Sequence, residues 1–266
     1  MMLKVSIITI SFNQKNFIKK TIESVLTQDY KNIEYIIVDA GSTDGSRKII
    51  SSYKNKIDKI IFEDDKGPAD GLNKGFSYAT GDIFCYLNSD DTLMPNAISK
   101  IVNKFNSNSN VDLVYGNALI IDDKDNRVKY FYSDKFNLNR ALYGEVIIAQ
   151  QAIFFKKALF NNTSKFNINN HICWDHELNI ELFMNSVENL KVKDFIGCFR
   201  IHNNTITNSI NIKTKVFDEQ RKIFLKYKNR QFKKYDILIK FFFKIYRKLL
   251  NPLDTINRII YGPITK

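Results

Sequence analysis

Residues 84–91, F-C-Y-L-N-S-D-D, join an apolar, β-prone run to two adjacent carboxylates, and Pro95 follows shortly after. The run reads as a buried strand that delivers Asp90 and Asp91 to its C-terminal end, the edge where open α/β sheets bind their ligands. Two neighbouring carboxylates repel each other unless a cation lies beside them. Oxygen ligands of this kind suit Mg²⁺ or Mn²⁺, which usually complete their shells with substrate phosphates. The plainer reading is a strand end and a turn, with Asp91 or Thr92 capping a helix that starts near Pro95.

Upstream of this stretch the chain alternates in a regular way. Residues 4–10 are nearly continuous and β-branched, as a strand buried on both faces should be. Residues 16–27 have helical spacing, and 33–38 form a second strand that ends at Asp39 and a glycine-bearing turn. Residues 46–53 read as a helix, 57–62 as a third strand, 64–70 as a loop around Gly67 and Pro68, and 69–79 as another helix. Such alternation predicts an α/β fold with a doubly wound, mostly parallel sheet. Beyond Asn106 the regularity fades. Residues 111–115 and 118–121 predict two strands, 147–155 a further apolar stretch, 174–183 a helix and 195–201 a strand.

A chain of 266 residues, 44% hydrophobic, is long enough for one large α/β core with an appendage. The expected division is a catalytic domain over 1–212 and a helical tail over 213–266. The three cysteines, Cys85, Cys173 and Cys198, are widely separated, which argues for buried thiols in a reducing compartment. There is no cleavable-signal pattern, and the first apolar run is too short to span a membrane, so the expected location is cytoplasmic. The net charge of +12 is unevenly placed. Residues 213–266 hold 15 Lys and Arg against 4 Asp and Glu, whereas the preceding 212 residues are almost balanced at 25 against 24.

Three predicted strands end in polar groups at one edge: Thr9, Ser11 and Asn13 after the first, Asp39 after the second, Asp90 and Asp91 after the fourth. A ligand lying across that edge can be read piece by piece. Residues 11–16, S-F-N-Q-K-N, replace the glycine-rich turn of dinucleotide-binding folds, and no Walker A loop is present. Any nucleotide must therefore be held by side chains and a metal ion.

Several ordered segments resemble those of the family-two glycosyltransferases of GT-A fold. They are V-S-I-I-T-I-S-F-N (5–13), S-V-L-T-Q-D-Y-K-N-I-E-Y-I-I-V-D-A-G-S-T-D-G-S (24–46), D-K-G-P-A-D-G-L-N-K-G (65–75), A-T-G-D-I-F-C-Y-L-N-S-D-D (79–91) and W-D-H-E-L (174–178). The resemblance covers residues 3 to about 205. It implies inverting, metal-dependent transfer of a hexosyl or N-acetylhexosaminyl group from a nucleotide-diphosphate sugar, in the first instance a UDP-sugar. The implied acceptor is a glycan or lipid-linked glycan in bacterial surface-polysaccharide assembly.

By the same resemblance Thr9, Ser11 and Asp39 would contact the nucleoside, and Asp90 and Asp91 would hold Mn²⁺ or Mg²⁺. Asn88, where many members carry a further acid, and Ser89 would border the donor. Asp70 and Asn73 would lie beside the donor sugar and diphosphate, and His202 near the metal or the leaving diphosphate. Gln151 would be an acceptor-side contact. An inverting enzyme needs a base for the attacking hydroxyl, and Asp175 aligns with it, with Glu177 as the alternative. Each has a structural counter-reading: turn chemistry for Asp39, helix capping for Asp70 and Asp175, loop packing for His202.

The string His171, Cys173, His176 lacks a fourth ligand and is too cramped for structural zinc. In the tail, Lys226, Arg230, Lys233, Lys240, Lys244 and Arg247 or Lys248 recur at helical spacing opposite Leu238, Phe241, Phe242, Ile245, Tyr246 and Leu249. That pattern predicts one basic amphipathic helix, placed peripherally on the inner face of a bacterial plasma membrane or packed on the catalytic domain. Nothing accompanies the charge that would read nucleic acid. Two other functions fit less well. A sugar nucleotidyltransferase would want a glycine-rich loop after the first strand, and a non-catalytic nucleotide-sugar-binding module would not need Asp90, Asp91 and Asp175 intact.

Overall fold

The structure, a computed structural model, describes residues 2–202 and 212–262. The first half follows the expected alternation: β1 (Val5–Ser11), α1 (Ile18–Leu26), β2 (Ile33–Asp39), α2 (Ser46–Ser52), β3 (Lys59–Phe62), α3 (Pro68–Tyr78) and β4 (Ile83–Asn88). These strands pair in parallel, with β1 between β2 and β4 and β3 outside β2. Alternate residues serve opposite faces, as the pleat requires. Val5, Ile7, Tyr35, Ile37, Ile83 and Cys85 pack with Ile18, Ile22 and Ile50 of α1 and α2. Ile8, Ile36, Val38, Phe84 and Tyr86 pack with Leu72 and Phe76 of α3 on the other side. Both faces are covered, and the sheet is doubly wound.

The second half departs from simple alternation. It comprises β5 (Thr92–Leu93), α4 (Ala97–Ser107), β6 (Val111–Ile121), β7 (Arg127–Phe131), α5 (Leu138–Leu142), β8 (Ile153–Lys156), α6 (Lys157–Asn161), α7 (Trp174–Asn185) and β9 (Glu188–Arg200). Strands β4 and β8, β8 and β6, β6 and β7, and β5 and β9 pair antiparallel, while β6 and β9 pair in parallel. The parallel half thus continues into a mixed half, in the order β3-β2-β1-β4-β8-β6-β9-β5 with β7 against β6.

The two strands expected over 111–121 are one. Its register with β9 shifts at Gly116, where a Cβ would lie 2.6 Å from Ile196 and 2.9 Å from the Asp194 carbonyl. The glycine marks a bulge at which a neighbouring strand approaches closely, not a break.

The tail is three helices: α8 (Ile212–Lys228), α9 (Lys234–Leu250) and α10 (Pro252–Tyr261). The single basic helix expected from Lys226 onward is interrupted at Asn229, whose φ of 51° ends α8 in the left-handed conformation. Ile223 and Phe224 of α8 are buried with Leu142, Tyr143, Cys173 and Ile180, so this helix completes a third small core. The 212/213 boundary therefore separates segments that share packing, and residues 203–211, which join them, lie outside the described residues.

The expected basic stripe is also partly structural. Lys226 pairs with Glu177 and Glu181 at 3.0 and 2.9 Å, and Arg230 pairs with Asp236 at 2.7 Å. Arg247 is buried. Helices α9 and α10 are inverted in burial. Asp236, Arg247, Asp254 and Asn257 face inward, while Leu238, Phe241, Phe242, Leu249, Ile259 and Ile260 are between 61% and 78% exposed. Asn257 clamps the backbone of Tyr130 through both amide atoms, and Asn251 reaches the carbonyl of Tyr132 and the carboxylate of Asp134. Polar residues, with Ile239 and Phe243 against the third core, hold the protein, and most of the apolar side faces outward. Among the described residues no helix is long and apolar enough to cross a membrane.

Candidate functional site

A cavity of about 880 Å³ lies at the C-terminal edge of the parallel strands. Ser11 at the end of β1 and Gln14 beyond it, Ala40 beyond β2, and Asn88, Ser89 and Asp90 at the end of β4 form one wall. Asp65 and Gly67 enter ahead of α3, Gln150 and Gln151 ahead of β8, and Trp174 and Asp175 from the first turn of α7. This is the strand edge where a doubly wound sheet is expected to receive its ligand.

Of the neighbouring carboxylates, only Asp90 reaches the cavity wall. Its Oδ2 lies 3.1 Å from Nε2 of His202, whose ring packs against Phe17 at 4.6 Å between centroids. Asp91 points the other way. It is 1% exposed, and its Oδ1 accepts the backbone N–H of Arg200 at 2.9 Å. Burial first, and the charge of Asp90 second, hold the Asp91 carboxyl well above the usual carboxylate range. Arg200, fully buried, donates Nε to the Asp90 carbonyl at 2.7 Å and pairs through Nη1 with Asp125 at 2.6 Å. The expected metal pair is thus one wall carboxylate and one buried strut, with Arg200 fixing the turn between them.

Asp90 on the wall and the imidazole paired with it, which does not itself line the cavity, make a donor set that fits a divalent ion taking its remaining ligands from substrate oxygens. Among the described residues no group of three or more His, Cys, Asp or Glu converges, so a closed all-protein metal cage is not built here. His171, Cys173 and His176 diverge accordingly. His171 lines the cavity, and His176 meets the Ala141 carbonyl at 3.1 Å.

Besides His202, four further expected contacts lie off the wall. Thr9 sits two residues deeper in β1 than Ser11, covered, with its hydroxyl 3.1 Å from that of Tyr35. Asp39 is fully buried below Ala40. Its carboxylate accepts the Ser42 N–H and hydroxyl at 2.9 and 2.6 Å and Arg47 Nε at 2.7 Å. Burial alone would raise its pKa, but these hydrogen bonds prevail and lower it. Asp70 accepts the Lys66 N–H at 3.0 Å, as a residue in the first turn of α3 does. Asn73 staples α3 to the backbone of Phe166 through both amide atoms.

Asp175 stands on the wall. Among the described residues its side chain accepts one hydrogen bond, from the neighbouring N–H of His176 at 2.8 Å. A helix N-terminus favours the anion, yet burial outweighs it here and raises the Asp175 pKa. Glu177 is occupied instead. Asn167, Asn170 and Lys226 all donate to it, and together they overcome burial to lower its pKa. The geometry separates the two acids that the sequence left as alternatives.

Three cavity residues escaped the sequence reading. Asp65 is one of three successive acids, Glu63, Asp64 and Asp65, and the only one of them not exposed. No periodicity singles it out. Burial, with the charges of Asp70 and Asp39 beside it, raises its pKa. Gln150 donates to the Tyr86 carbonyl at 2.8 Å and receives the Asn88 amide at 3.3 Å. Arg258 arrives from α10, in a tail that no motif connected to the site.

The fold has known counterparts. TarS residues 1–349 of S. aureus, solved with UDP-GlcNAc, superpose with a TM-score of 0.65 over 85% of this chain and 72% of that chain, at 17% identity. A mannosyltransferase from Pyrobaculum calidifontis, solved with GDP-Man and Mn²⁺, gives 0.65 over 95% and 72% at 15% identity. Both share the GT-A fold. An uncharacterised glycosyltransferase of Nostoc sp. is 35% identical over 129 residues, which is 45% of this chain and 40% of that protein. The family model described as glycosyl transferase family 2 matches residues 6–164, more than half of the chain, from β1 to just beyond α6. With the strand-edge cavity, the wall carboxylate after β4 and this match together, the chain belongs to glycosyl transferase family 2.

Proposed function

We propose that this chain is an inverting glycosyltransferase that moves a hexosyl or N-acetylhexosaminyl group from a nucleotide-diphosphate sugar to a glycan or lipid-linked acceptor. The observation that carries the reading is that Asp90, paired with His202, and Asp175, with its raised pKa, line one cavity. The relatives solved with UDP-GlcNAc and with GDP-Man bind donors of this class.

In the step we propose, the acceptor hydroxyl attacks the anomeric carbon in line with the leaving diphosphate. The new C–O bond forms as the old one breaks, the configuration inverts, and Asp175 takes the hydroxyl proton. Asp90 and His202 would hold a divalent ion, Mn²⁺ or Mg²⁺, which when bound neutralises charge on the departing diphosphate. Ser11, Ala40 and Asn88 border the donor, and Gln150 orients Asn88. Asp39 supports the turn that carries Ala40.

The proposed setting is assembly of surface polysaccharide at the cytoplasmic face of a bacterial membrane. Its support is the outward apolar side of α9 and α10 with exposed Lys244 and Lys248 beside it. A helix of that composition lies in a membrane interface and is drawn to anionic lipid.

The test is turnover by Asp175→Asn, followed with labelled donor and bacterial membranes as the acceptor source. Donor binding should persist while transfer falls by about 10²-fold or more, the usual loss for a general base. Near-normal turnover by the folded variant overturns the assignment.

A further inference from the structure

We infer that Arg258 of α10 receives a phosphate group of a lipid-linked acceptor at the mouth of the cavity. The inference rests on the glycosyl-transfer reading above and assigns the chemistry at its acceptor end.

Arg258 is the only Lys or Arg among the described residues that line the cavity; the charged groups otherwise on the wall are Asp65, Asp90 and Asp175. A divalent ion at Asp90 would be matched by that carboxylate and the donor's diphosphate, so a further anion needs a cation of its own. Arg258 is held in place by its neighbours. Asn257 is clamped to the backbone of Tyr130, one residue before the cavity residue Phe131, and Nε of Arg258 donates to Asp254 at 2.5 Å. Its Nη2 is shielded from solvent and has no hydrogen-bond partner among the described residues. A guanidinium held through Nε, with donor capacity left on Nη2, is suited to phosphate oxygens.

The same helix supplies the apolar half of the ligand's surroundings. While Asp254, Asn257 and Arg258 turn toward the protein, Leu253, Ile256, Ile259 and Ile260 are 53% to 78% exposed. A helix with its side chains is roughly 10 Å across, so a phosphate at Arg258 lies within one helix diameter of this apolar side. A water-soluble acceptor would have no use for that surface. An acceptor with a phosphate between its sugar and its hydrocarbon chain matches the order along the protein: Asp175 for the sugar hydroxyl, Arg258 for the phosphate, the outer side of α10 for the lipid.

The experiment uses the full chain and calorimetric titration with farnesyl phosphate, farnesol and inorganic phosphate, with phosphatidylglycerol vesicles as a separate arm. Wild type should bind farnesyl phosphate more tightly than either fragment. Arg258→Gln should weaken that binding about tenfold or more, the scale of one charge-assisted hydrogen bond, and Arg258→Lys should restore part of it. Vesicle binding should not change, because Arg258 is not on the outer side. Asp254→Asn breaks the same ion pair but keeps the cation, so it should bind farnesyl phosphate at least as well as wild type.

Equal affinity of wild type and Arg258→Gln for farnesyl phosphate overturns the proposal, as does equal binding of farnesol and farnesyl phosphate. So does a loss in Asp254→Asn that matches the loss in Arg258→Gln, since the pair would then be structural. If Arg258→Gln weakens nucleotide-diphosphate binding instead, the cation serves the donor and the proposal falls. None of these outcomes touches the Asp175→Asn turnover test, so the two readings fail separately.

Discussion

Asp91 directs its carboxylate at the backbone N–H of Arg200, which leaves Asp90 as the member of the pair that can meet a ligand. The two positions should therefore respond differently to substitution. Asp91→Ala strands a buried donor and should lower unfolding stability by about 1–3 kcal/mol in urea titration; no loss would mean that the strut is dispensable. Asp175 has a pH signature. Its pKa is raised by burial, so its carboxylate, and with it transfer, is lost as pH falls through a value above the ordinary aspartate range. The acid limb of the pH–rate profile should sit there. Linkage has the opposite sign from that of a salt-bridged acid. The folded state holds the proton more tightly than the unfolded chain, so Asp175 costs stability once pH rises past both values. Asp175→Asn should match or exceed the wild-type Tm at pH 7.5 and lose that advantage near pH 4; a lower Tm at pH 7.5 would contradict this. Asp90 and Asp175 were legible in the sequence because each stands at the end or start of an element. Asp65 and Arg258 were not, because burial and tail docking select them, and neither leaves a local pattern.

The elements of the first half were readable because each parallel strand is apolar throughout and each connecting helix has one apolar side. Val5–Ser11 is shifted by one residue from its expected bounds of 4–10. The second half was not readable in that way. One glycine at a strand–strand approach made β6 resemble two strands, and β9 runs seven residues further toward its N-terminus than its apolar part suggests. Helix α8 illustrates the same limit. Charge dominates its composition, yet Phe224 is fully buried against Tyr143 at 5.2 Å between centroids, and Lys226 neutralises two acids of α7. Phe224→Ala should cost about 3–5 kcal/mol by urea titration, as for a core aromatic, whereas a free tail helix would show almost none. Removing everything after Thr214 should yield an unstable protein, because it uncovers Leu142, Tyr143 and Ile180 together.

At the scale of the molecule, the tail turns the usual arrangement of an amphipathic helix around. Polar residues of α9 and α10, with Ile239 and Phe243, attach to the rest of the protein, and Phe241 and Phe242, each 61% exposed, face away from it. Full-length protein should therefore sediment with anionic vesicles at low salt and release as salt rises, since surface charge is screened over about 10 Å at 0.1 M. The pair Phe241→Gln and Phe242→Gln should weaken sedimentation without lowering Tm; unchanged sedimentation would count against membrane docking. The central claim concerns the cavity, and one calorimetric series tests it most directly. UDP-, GDP- and dTDP-sugars are titrated with and without Mn²⁺ into wild type, Asp90→Ala and Asp175→Asn. The account predicts that one nucleotide-diphosphate sugar binds wild type and Asp175→Asn only when the ion is present, and that Asp90→Ala loses this binding while remaining folded. Ion-dependent donor binding that survives in Asp90→Ala, or the absence of binding by any of the three donors to wild type, would contradict it.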